Sequence, residues 1–289
     1  MPTFEGAWFG LVFAFAMGLA VGSFLNVVIH RIPRGESIVR PRSHCPSCLA
    51  PIAPWHNVPL LSYLWLRGRC HDCSARISLR YPAIEGLSGL SFAAFFAVHG
   101  FTPVTLLWWA FAAALIVAAS VDFDEGFIPD EISLGGLALG LVLLPLLEAQ
   151  GGAPYGWALA QSALGALLGA GSLWSVGFAH ARLSVALGRS FPHWPGEGEA
   201  PPRPGSLDYW VWFPGLGLGD VKLLGMVGAF LGPIGAMQTI LLASLLGLPL
   251  GLALTRGARG LAAPFGFAPA IAVAALVVAV LAEGGCWLF

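Results

Sequence analysis

Charged residues are scarce in this sequence: Asp, Glu, Lys and Arg make up 10% of its 289 residues, whereas 57% are hydrophobic. A soluble domain typically has about 25% charged residues. The mean hydropathy of +0.79 points away from a soluble protein in the same way, because no soluble core needs this much apolar surface. The composition therefore excludes an ordinary soluble domain and predicts an all-α protein that crosses a membrane several times.

Crossing a bilayer takes roughly 17 to 25 apolar residues, and about eight runs of 15 to 22 residues come close to or reach that length. They lie at about Trp8 to Ile29, Ile84 to Val98, Val104 to Val121, Ile132 to Leu147, Trp157 to Phe178, Leu216 to Leu231, Ile234 to Leu254 and Phe265 to Leu281. We expect a first helix at 1–29, a polar segment at 30–83, and a seven-helix domain at 84–289 with a loop at 180–214. The Gly and Ala residues within these runs are expected mainly to allow close helix packing.

Basic residues are missing from the first six positions and are concentrated further on. Eight of the 14 Lys and Arg residues lie between Arg31 and Arg80. Because loops rich in basic residues stay in the cytoplasm, the 30–83 segment is predicted to be cytoplasmic and the N-terminus to lie outside. No basic region or small-residue cleavage site frames the first run, so we expect a retained helix rather than a cleaved signal peptide.

Only five cysteines are present, and four of them form a pattern. Cys45-Pro-Ser-Cys48 and Cys70-His-Asp-Cys73 are two C-x-x-C knuckles, separated by a linker slightly longer than is usual for structural zinc. Four thiolates can close a tetrahedral site, which predicts structural zinc in a segment too small to fold on its own core. Disulfides are the alternative, and the reducing cytosol disfavours them. His44 and His71 could replace a ligand, and Cys286 stands alone near the C-terminus.

The stretch Gly215-Leu-Gly-Leu-Gly-Asp220-Val-Lys222 places an acid at the start of an apolar run. An ionisable carboxylate within a membrane is costly and marks function by default. Because the alternating glycines let another backbone approach closely, we expect a substrate peptide to lie against Gly217, Gly219 and Lys222. The alternative is that Asp220 merely caps the following helix and that the glycines pack against neighbouring helices.

A second acid, Asp122, ends the third apolar run, and the predicted topology puts it on the same side as Asp220, which opens the sixth. Two carboxylates that share a site do not both ionise readily, so one holds a proton and the other accepts one. Such a pair can activate a water molecule against an amide. We therefore predict that Asp122 and Asp220 are the catalytic pair.

Three other acids lie close to Asp122 and have simpler explanations. Asp124 and Glu125 fit a solvated turn, whereas Asp130, which follows Pro129, fits a helix N-cap. Asp122 alone adjoins the apolar run, and it should therefore be the most desolvated of these carboxylates.

Several motifs, in this order along the chain, resemble those of the type IV prepilin peptidases, the bifunctional leader peptidases and N-methyltransferases of type IV pilus and type II secretion systems. The resemblance covers nearly the whole chain. It rests on Gly22-Ser-Phe-Leu-Asn-Val-Val-Ile-His-Arg-Ile-Pro33, the two cysteine knuckles, Arg80-Tyr-Pro-Ala-Ile-Glu85, the Asp122 to Asp130 stretch and Gly217-Leu-Gly-Asp220-Val-Lys-Leu.

This resemblance implies that Asp122 and Asp220 are the catalytic residues of a GxGD-type membrane aspartyl peptidase. It implies an enzyme of the bacterial inner membrane that cleaves the basic leader of prepilins or pseudopilins after a glycine, on the cytoplasmic side. It further implies a zinc-binding segment and methylation of the new N-terminal residue with S-adenosylmethionine. Membrane lipid is the other expected partner, and no nucleic acid is expected.

Two features depart from the family pattern. The loop from Leu187 to Pro214 is long, and Pro264-Phe-Gly-Phe-Ala-Pro269 only approximates the family's Pro-Phe-Gly-Pro. We expect neither feature to touch the two acids. Two other functions stay open: a peptidase without methyltransferase activity, against which the retained cysteines and Gly22 to Pro33 argue, and a proton or cation transporter with a zinc-binding interaction module.

Overall fold

Helices and short turns make up the regular structure of the part of the chain that can be described. The computed structural model describes residues 4–189, 202–214, 217–254 and 266–285. The predicted loop at Leu187 to Pro214 is therefore described only at its two ends, and Pro264 and Cys286 lie outside the described residues. Within those ranges no strand occurs, and the α-helices are α1 (Phe4–Arg31), α2 (Leu61–Trp65), α3 (Arg80–His99), α4 (Pro103–Glu125), α5 (Asp130–Gln150), α6 (Tyr155–Ala186), α7 (Asp208–Val211), α8 (Leu218–Leu254) and α9 (Ala268–Glu283).

Six helices among the described residues are long and apolar enough to cross a membrane. They are Trp8–Arg34, Arg80–His99, Pro103–Glu125, Asp130–Gln150, Tyr155–Ala186 and Leu218–Pro249. α8 is bent where Gly232 adopts a φ of 66° and a ψ of −174°, just before Pro233, which is where the sequence separates its sixth and seventh apolar runs. α9 is apolar but has only 16 residues. The prediction of an all-α protein that crosses the membrane several times is confirmed.

The chain divides into two compact units. The first unit runs to Val121 and includes Glu283, and the second runs from Asp122 to Ala282. Each unit contains its own set of closely packed helices. The two cysteine knuckles belong to the first unit, whereas Asp122 and Asp220 both belong to the second.

Small residues bring α1 and α3 together in the first unit. A Cβ atom added at Gly22 of α1 would lie 2.7 Å from the Cα of Glu85, and one added at Gly18 would lie 2.6 Å from the carbonyl oxygen of Ser88. Real Cβ contacts are longer than this, so the two helix backbones touch only because these positions carry no side chain.

Stacked aromatic rings join α3 to α4 in the same unit. The rings of Phe92 and Trp109 lie 4.6 Å apart and nearly parallel, and those of Phe95 and Trp108 lie 5.2 Å apart. Trp109 Nε1 also donates a hydrogen bond to the Phe92 carbonyl oxygen at 2.9 Å. The polar edge of the buried indole is therefore satisfied, as burial of Trp requires.

Glycines also bring α8 close to α6 and α5 in the second unit. A Cβ added at Gly165 of α6 would overlap the backbone of Gly228 in α8, and one added at Gly140 of α5 would lie 2.8 Å from the Phe230 ring. The close packing that the sequence predicted for its glycines is confirmed at these positions. This packing fixes the helix that carries Asp220.

An aromatic cluster holds α7 against α6. Trp174 and Phe178 stack on Trp210, with ring centroids 6.4 and 5.3 Å apart. Trp174 Nε1 donates a hydrogen bond to the Trp210 carbonyl oxygen at 2.8 Å. The Arg182 guanidinium lies 3.9 Å from the centroid of the Tyr209 ring, within cation–π range. The cluster therefore anchors the chain shortly before it enters α8.

Substituting Ala for Gly165 should force α6 away from α8, because the added methyl group has no space. We expect the free energy of unfolding to fall by about 1–3 kcal/mol, the usual cost of overpacking. Gly171→Ala on the same helix is the matched control, since no described residue lies within 4 Å of a Cβ added there. The midpoints of thermal unfolding in detergent measure the effect, and equal midpoints for the two variants would contradict the close contact.

Candidate active site and metal centre

Asp122 lies near the end of α4 and is buried, with 6% of its surface exposed. No other charged residue precedes it in α4, so the helix carries this carboxylate at the end of an apolar surface. Asp124 and Glu125 follow in the last turn of the same helix, and both are exposed. The structure therefore buries the carboxylate that the sequence singled out and leaves the two competing acids in contact with solvent.

Asp220 is the third residue of α8 and is also buried, with 9% of its surface exposed. Its N–H donates a hydrogen bond to the Gly217 carbonyl oxygen at 3.2 Å. Its carboxylate is close enough to that of Asp122 for the two to interact electrostatically. Among the described residues, no hydrogen-bond partner faces Asp220 Oδ1. Two acids far apart in sequence therefore lie together in one buried site. Within the described part of the chain, Asp220 Oδ1 accepts no hydrogen bond there.

The start of α9 forms one wall of this acid pair. The backbone N–H of Ala268 donates a hydrogen bond to Asp122 Oδ2 at 3.1 Å. A Cβ added at Gly266 would overlap the same carboxylate. The N–H groups of a first helical turn lack partners within the helix, and they suit a negative charge. The N–H of Ala268 therefore stabilises the ionised form of Asp122.

The expectation that the Pro264 to Pro269 stretch does not touch the acids is wrong. Two described residues of that stretch, Gly266 and Ala268, contact Asp122. Sequence reasoning missed them because neither has a side chain that can do chemistry, and their contribution comes from the backbone. The available signals were a glycine set between two prolines just ahead of an apolar run and the partial match to the family's Pro-Phe-Gly-Pro pattern.

An ion pair joins the start of α8 to the start of α5. Lys222 Nζ donates to Asp130 Oδ1 at 2.6 Å. The expected N-cap role of Asp130 is wrong, because Pro129 occupies the cap position and Asp130 is the first residue of α5. The carboxylate of Asp130 turns instead to the positive charge of Lys222. Lys222 lies two residues beyond Asp220, so this ion pair joins the starts of α5 and α8 close to Asp220.

The two described glycines before Asp220 have different surroundings. A Cβ added at Gly219 would lie 3.1 Å from Ile128 Cβ, which is a tight contact, whereas one at Gly217 would lie 3.6 Å from Asp220 Oδ2. Gly219 therefore packs against the connection between α4 and α5, and Gly217 leaves space beside the carboxylate. The place of Gly217, Gly219 and Lys222 in a substrate cavity stays a prediction.

The four cysteines of the two knuckles converge in the first unit. The Sγ atoms of Cys45, Cys48, Cys70 and Cys73 all lie within 4.8 Å of one another, and none of the four is in a disulfide. Cys45 Sγ and Cys73 Sγ are 3.8 Å apart. Metal–sulfur bonds of about 2.3 Å in a tetrahedron separate the sulfurs by about 3.8 Å, so this cluster could hold a metal ion. His44 and His71 are not among its members in the described structure.

The two knuckles have the same backbone turn. In each, the N–H of the first cysteine donates to the carbonyl oxygen five residues later, at 2.9 Å from Cys45 and 2.8 Å from Cys70. The residue after the second cysteine has a positive φ, 61° at Leu49 and 59° at Ser74. This turn reverses the chain and directs both thiols of a knuckle to one side.

Local hydrogen bonding and burial shift the pKa values of Cys45 and Cys73 in opposite directions. The backbone N–H groups of Cys48 and Ser47 lower the pKa of Cys45 to about 6, which favours its thiolate form. At Cys73, the N–H of Ala75 favours the thiolate, but desolvation and the neighbouring cysteines outweigh it and raise the pKa to about 12. A metal ion must therefore displace protons from the cluster, and metal affinity should fall as the pH is lowered.

These features define a helical membrane protein with a buried pair of carboxylates in one unit and a four-thiol centre in the other. The profile of the bacterial peptidase A24 N-terminal domain matches residues 16–99, and that of the type IV leader peptidase family matches residues 109–252. The chain belongs to the type IV leader peptidase family and is an enzyme.

Curated relatives extend the match over most of the chain. A prepilin leader peptidase/N-methyltransferase of Neisseria gonorrhoeae is 32% identical, with 93% of this chain and 90% of the relative aligned. The proteins of that name from Aeromonas hydrophila and Myxococcus xanthus are 34% and 35% identical. The alignments cover 92% and 87% of this chain, and 88% and 65% of the two relatives. No solved structure matches the chain.

Replacing Gly266 with Ala should displace the Asp122 carboxylate, because the new methyl group and the carboxylate cannot occupy the same space. A misplacement of about 1 Å at a reacting group costs on the order of 10²-fold in rate, so we expect peptide cleavage to fall by that amount. Gly135→Ala in α5 is the control, since within the described part of the chain nothing lies within 4 Å of a Cβ added there. Cleavage rates of the two purified variants, at matched thermal stability, measure the effect. A Gly266→Ala enzyme with normal activity would refute the contact.

Proposed function

We propose that this protein cleaves the basic leader peptide of type IV prepilins or pseudopilins after a glycine and then methylates the new N-terminal residue. The observation that carries the proposal is the meeting of two buried carboxylates, Asp122 and Asp220, from distant parts of the chain. Burying two neighbouring acids without a counter-charge destabilises the folded protein. A role in general acid–base catalysis accounts for their presence. The names of the relatives supply the substrate class.

In the proposed cleavage, the two acids have different roles. Asp122, whose carboxylate accepts the N–H of Ala268, is the ionised member and takes a proton from the attacking water. Asp220 carries the shared proton, polarises the scissile carbonyl and later gives a proton to the leaving nitrogen. The water oxygen forms the new bond to the carbonyl carbon, and the C–N bond breaks. The pair titrates as one unit.

The proposed orientation puts both acids on the cytoplasmic side of a bacterial inner membrane, with the N-terminus outside. Its support is the concentration of eight arginines between Arg31 and Arg80, because basic loops stay in the cytoplasm. Asp122 near the end of α4 and Asp220 near the start of α8 then share that side. We keep the proposed division into a first helix at 1–29, a zinc-binding segment at 30–83 and a peptidase domain at 84–289.

In the proposed methylation, S-adenosylmethionine supplies the methyl group, and zinc holds the 30–83 segment in shape. Cys45, Cys48, Cys70 and Cys73 would bind the zinc, since their sulfur spacing fits a closed tetrahedral site. The acceptor is the N-terminal amine that cleavage releases, so cleavage must come first. The 30–83 segment, with the adjoining Gly22 to Pro33 and Glu85, is the proposed place for the methyl donor.

Asp122→Asn and Asp220→Asn should each abolish cleavage, because each removes one proton-transfer step. General acid–base catalysis contributes on the order of 10²–10⁴-fold, and we expect a loss in this range. Rates of leader removal from a purified prepilin, followed by mass spectrometry, measure it. Asp124→Asn changes an exposed acid two residues from Asp122 and serves as the control.

Processing at a normal rate by either Asn variant would refute the acid pair. The alternative of a proton or cation transporter predicts the opposite pattern: the same variants would lose ion flux in proteoliposomes and still process prepilin.

Cys48→Ser should remove the zinc and reduce methylation more than cleavage, because the acid pair lies in a different unit from the cysteine cluster. A closed site rarely tolerates the loss of one ligand, so elemental analysis should find about one zinc per wild-type chain and almost none in the variant. The mass of the product's N-terminus reports cleavage and methylation together. Mature but unmethylated pilin is the expected product.

Cys286→Ser is the control for this experiment, since Cys286 is outside both knuckles. Equal loss of both activities in a membrane-inserted Cys48→Ser variant would make the cluster a support for the whole enzyme. Wild-type protein that cleaves but never methylates would instead identify a peptidase without methyltransferase activity.

A further inference from the structure

A surface of large apolar side chains lies exposed around α2, outside the membrane-spanning helices. We call it the α2 face, and it consists of Trp55, Val58, Leu61, Leu64 and Trp65. Leu61, Leu64 and Trp65 follow the spacing of one helix face, and they are 65%, 70% and 83% exposed. Side chains of this size that are left in contact with water indicate a missing partner.

One hydrogen bond fixes where the α2 face lies along the axis of α3. The backbone N–H of Leu60 donates to Glu85 Oε2 at 2.8 Å. Glu85 is the sixth residue of α3, which is long and apolar enough to cross the membrane. α2 begins at the next residue after Leu60. The α2 face therefore starts level with the second turn of a helix that is long and apolar enough to cross a membrane.

The connection between that hydrogen bond and α2 is a tight turn. Leu60 has a φ of 58° and a ψ of −47°, and the N–H of Leu61 donates to the Pro59 carbonyl oxygen at 2.6 Å. This is the geometry of a classic γ-turn, which is rare and strained for a residue with a side chain. Because Glu85 holds the N–H of Leu60, the start of α2 stays beside α3.

The net positive charge of the surrounding segment indicates which kind of partner covers the α2 face. Residues 30–83 contain eight arginines and only two acids, Glu36 and Asp72, for a net charge of +6 with neutral histidines. Arg67 and Arg69 directly follow the α2 face and are exposed. A second copy of the same segment would bring the same positive charge and be repelled. An anionic lipid surface offers the opposite charge and an apolar layer at the same height.

We propose that the α2 face docks into the headgroup–acyl boundary of the membrane, with Arg67 and Arg69 contacting anionic lipid headgroups. Trp and Leu side chains enter this boundary, and the neighbouring guanidinium groups stay among the phosphates. Since α2 lies between the two cysteine knuckles in sequence, docking also holds the four-thiol cluster close to the membrane surface. The proposal does not depend on the reaction that the enzyme performs.

Photocrosslinking of the full-length, zinc-loaded protein in lipid nanodiscs tests the proposal. p-Benzoyl-L-phenylalanine is placed at position 65 instead of Trp65, and in a matched control at position 76 instead of the exposed Arg76. After irradiation in nanodiscs of phosphatidylcholine and phosphatidylglycerol, mass spectrometry measures the products. We expect phospholipid adducts to be several-fold more abundant at position 65 than at position 76. Unchanged zinc content shows that both variants are folded.

The lipid composition tests the role of the arginines. In nanodiscs of phosphatidylcholine alone, and in the Arg67→Gln/Arg69→Gln variant, we expect fewer adducts at position 65. Chain-to-chain crosslinks at position 65 would overturn the proposal in favour of a second copy, and adducts to an added prepilin would overturn it in favour of the substrate. Equal lipid labelling at positions 65 and 76 would also overturn it.

Discussion

The exclusion of water from two carboxylates inside an apolar set of helices is the constraint on which this structure depends. Asp122 and Asp220 are both buried, and a buried carboxylate without a counter-charge is tolerated only where protons are shared or donors are supplied. Asp122 has such a donor in the N–H of Ala268. Among the described residues, no donor reaches Asp220 Oδ1, which lies beside the partner acid. The surrounding helices are arranged so that this costly pair can form.

Glycine is the means by which the helices come close enough. Gly165 and Gly228 allow backbone contact between α6 and α8, and Gly266 allows the start of α9 to lie against Asp122. In lipid, helices gain little from hydrophobic association and depend on close van der Waals packing. The ion pair between Lys222 and Asp130 adds a directional contact at the helix ends near the acids. Packing of small residues thus holds the chemical groups in place.

In the first unit, the short polar segment at 30–83 keeps its shape without a hydrophobic core of its own. Its four thiols converge because two identical turns direct them to one point. Glu85 ties α2 to α3 through the N–H of Leu60. The segment is therefore held by a few local contacts, a candidate metal centre at one place and a partly buried hydrogen bond at another, rather than by extensive apolar burial.

The sequence by itself determined the membrane class, the approximate positions of the long apolar helices, the two knuckles and the burial of Asp122 rather than Asp124. These properties follow from local composition and from covalent spacing, which act over a few residues. Only the tertiary structure decided that Ala268 donates to an acid 146 residues away, that Lys222 pairs with Asp130, and that the apolar α2 face is exposed among the described residues. Those contacts depend on how separate helices pack, and backbone donors such as Ala268 carry no mark in the sequence.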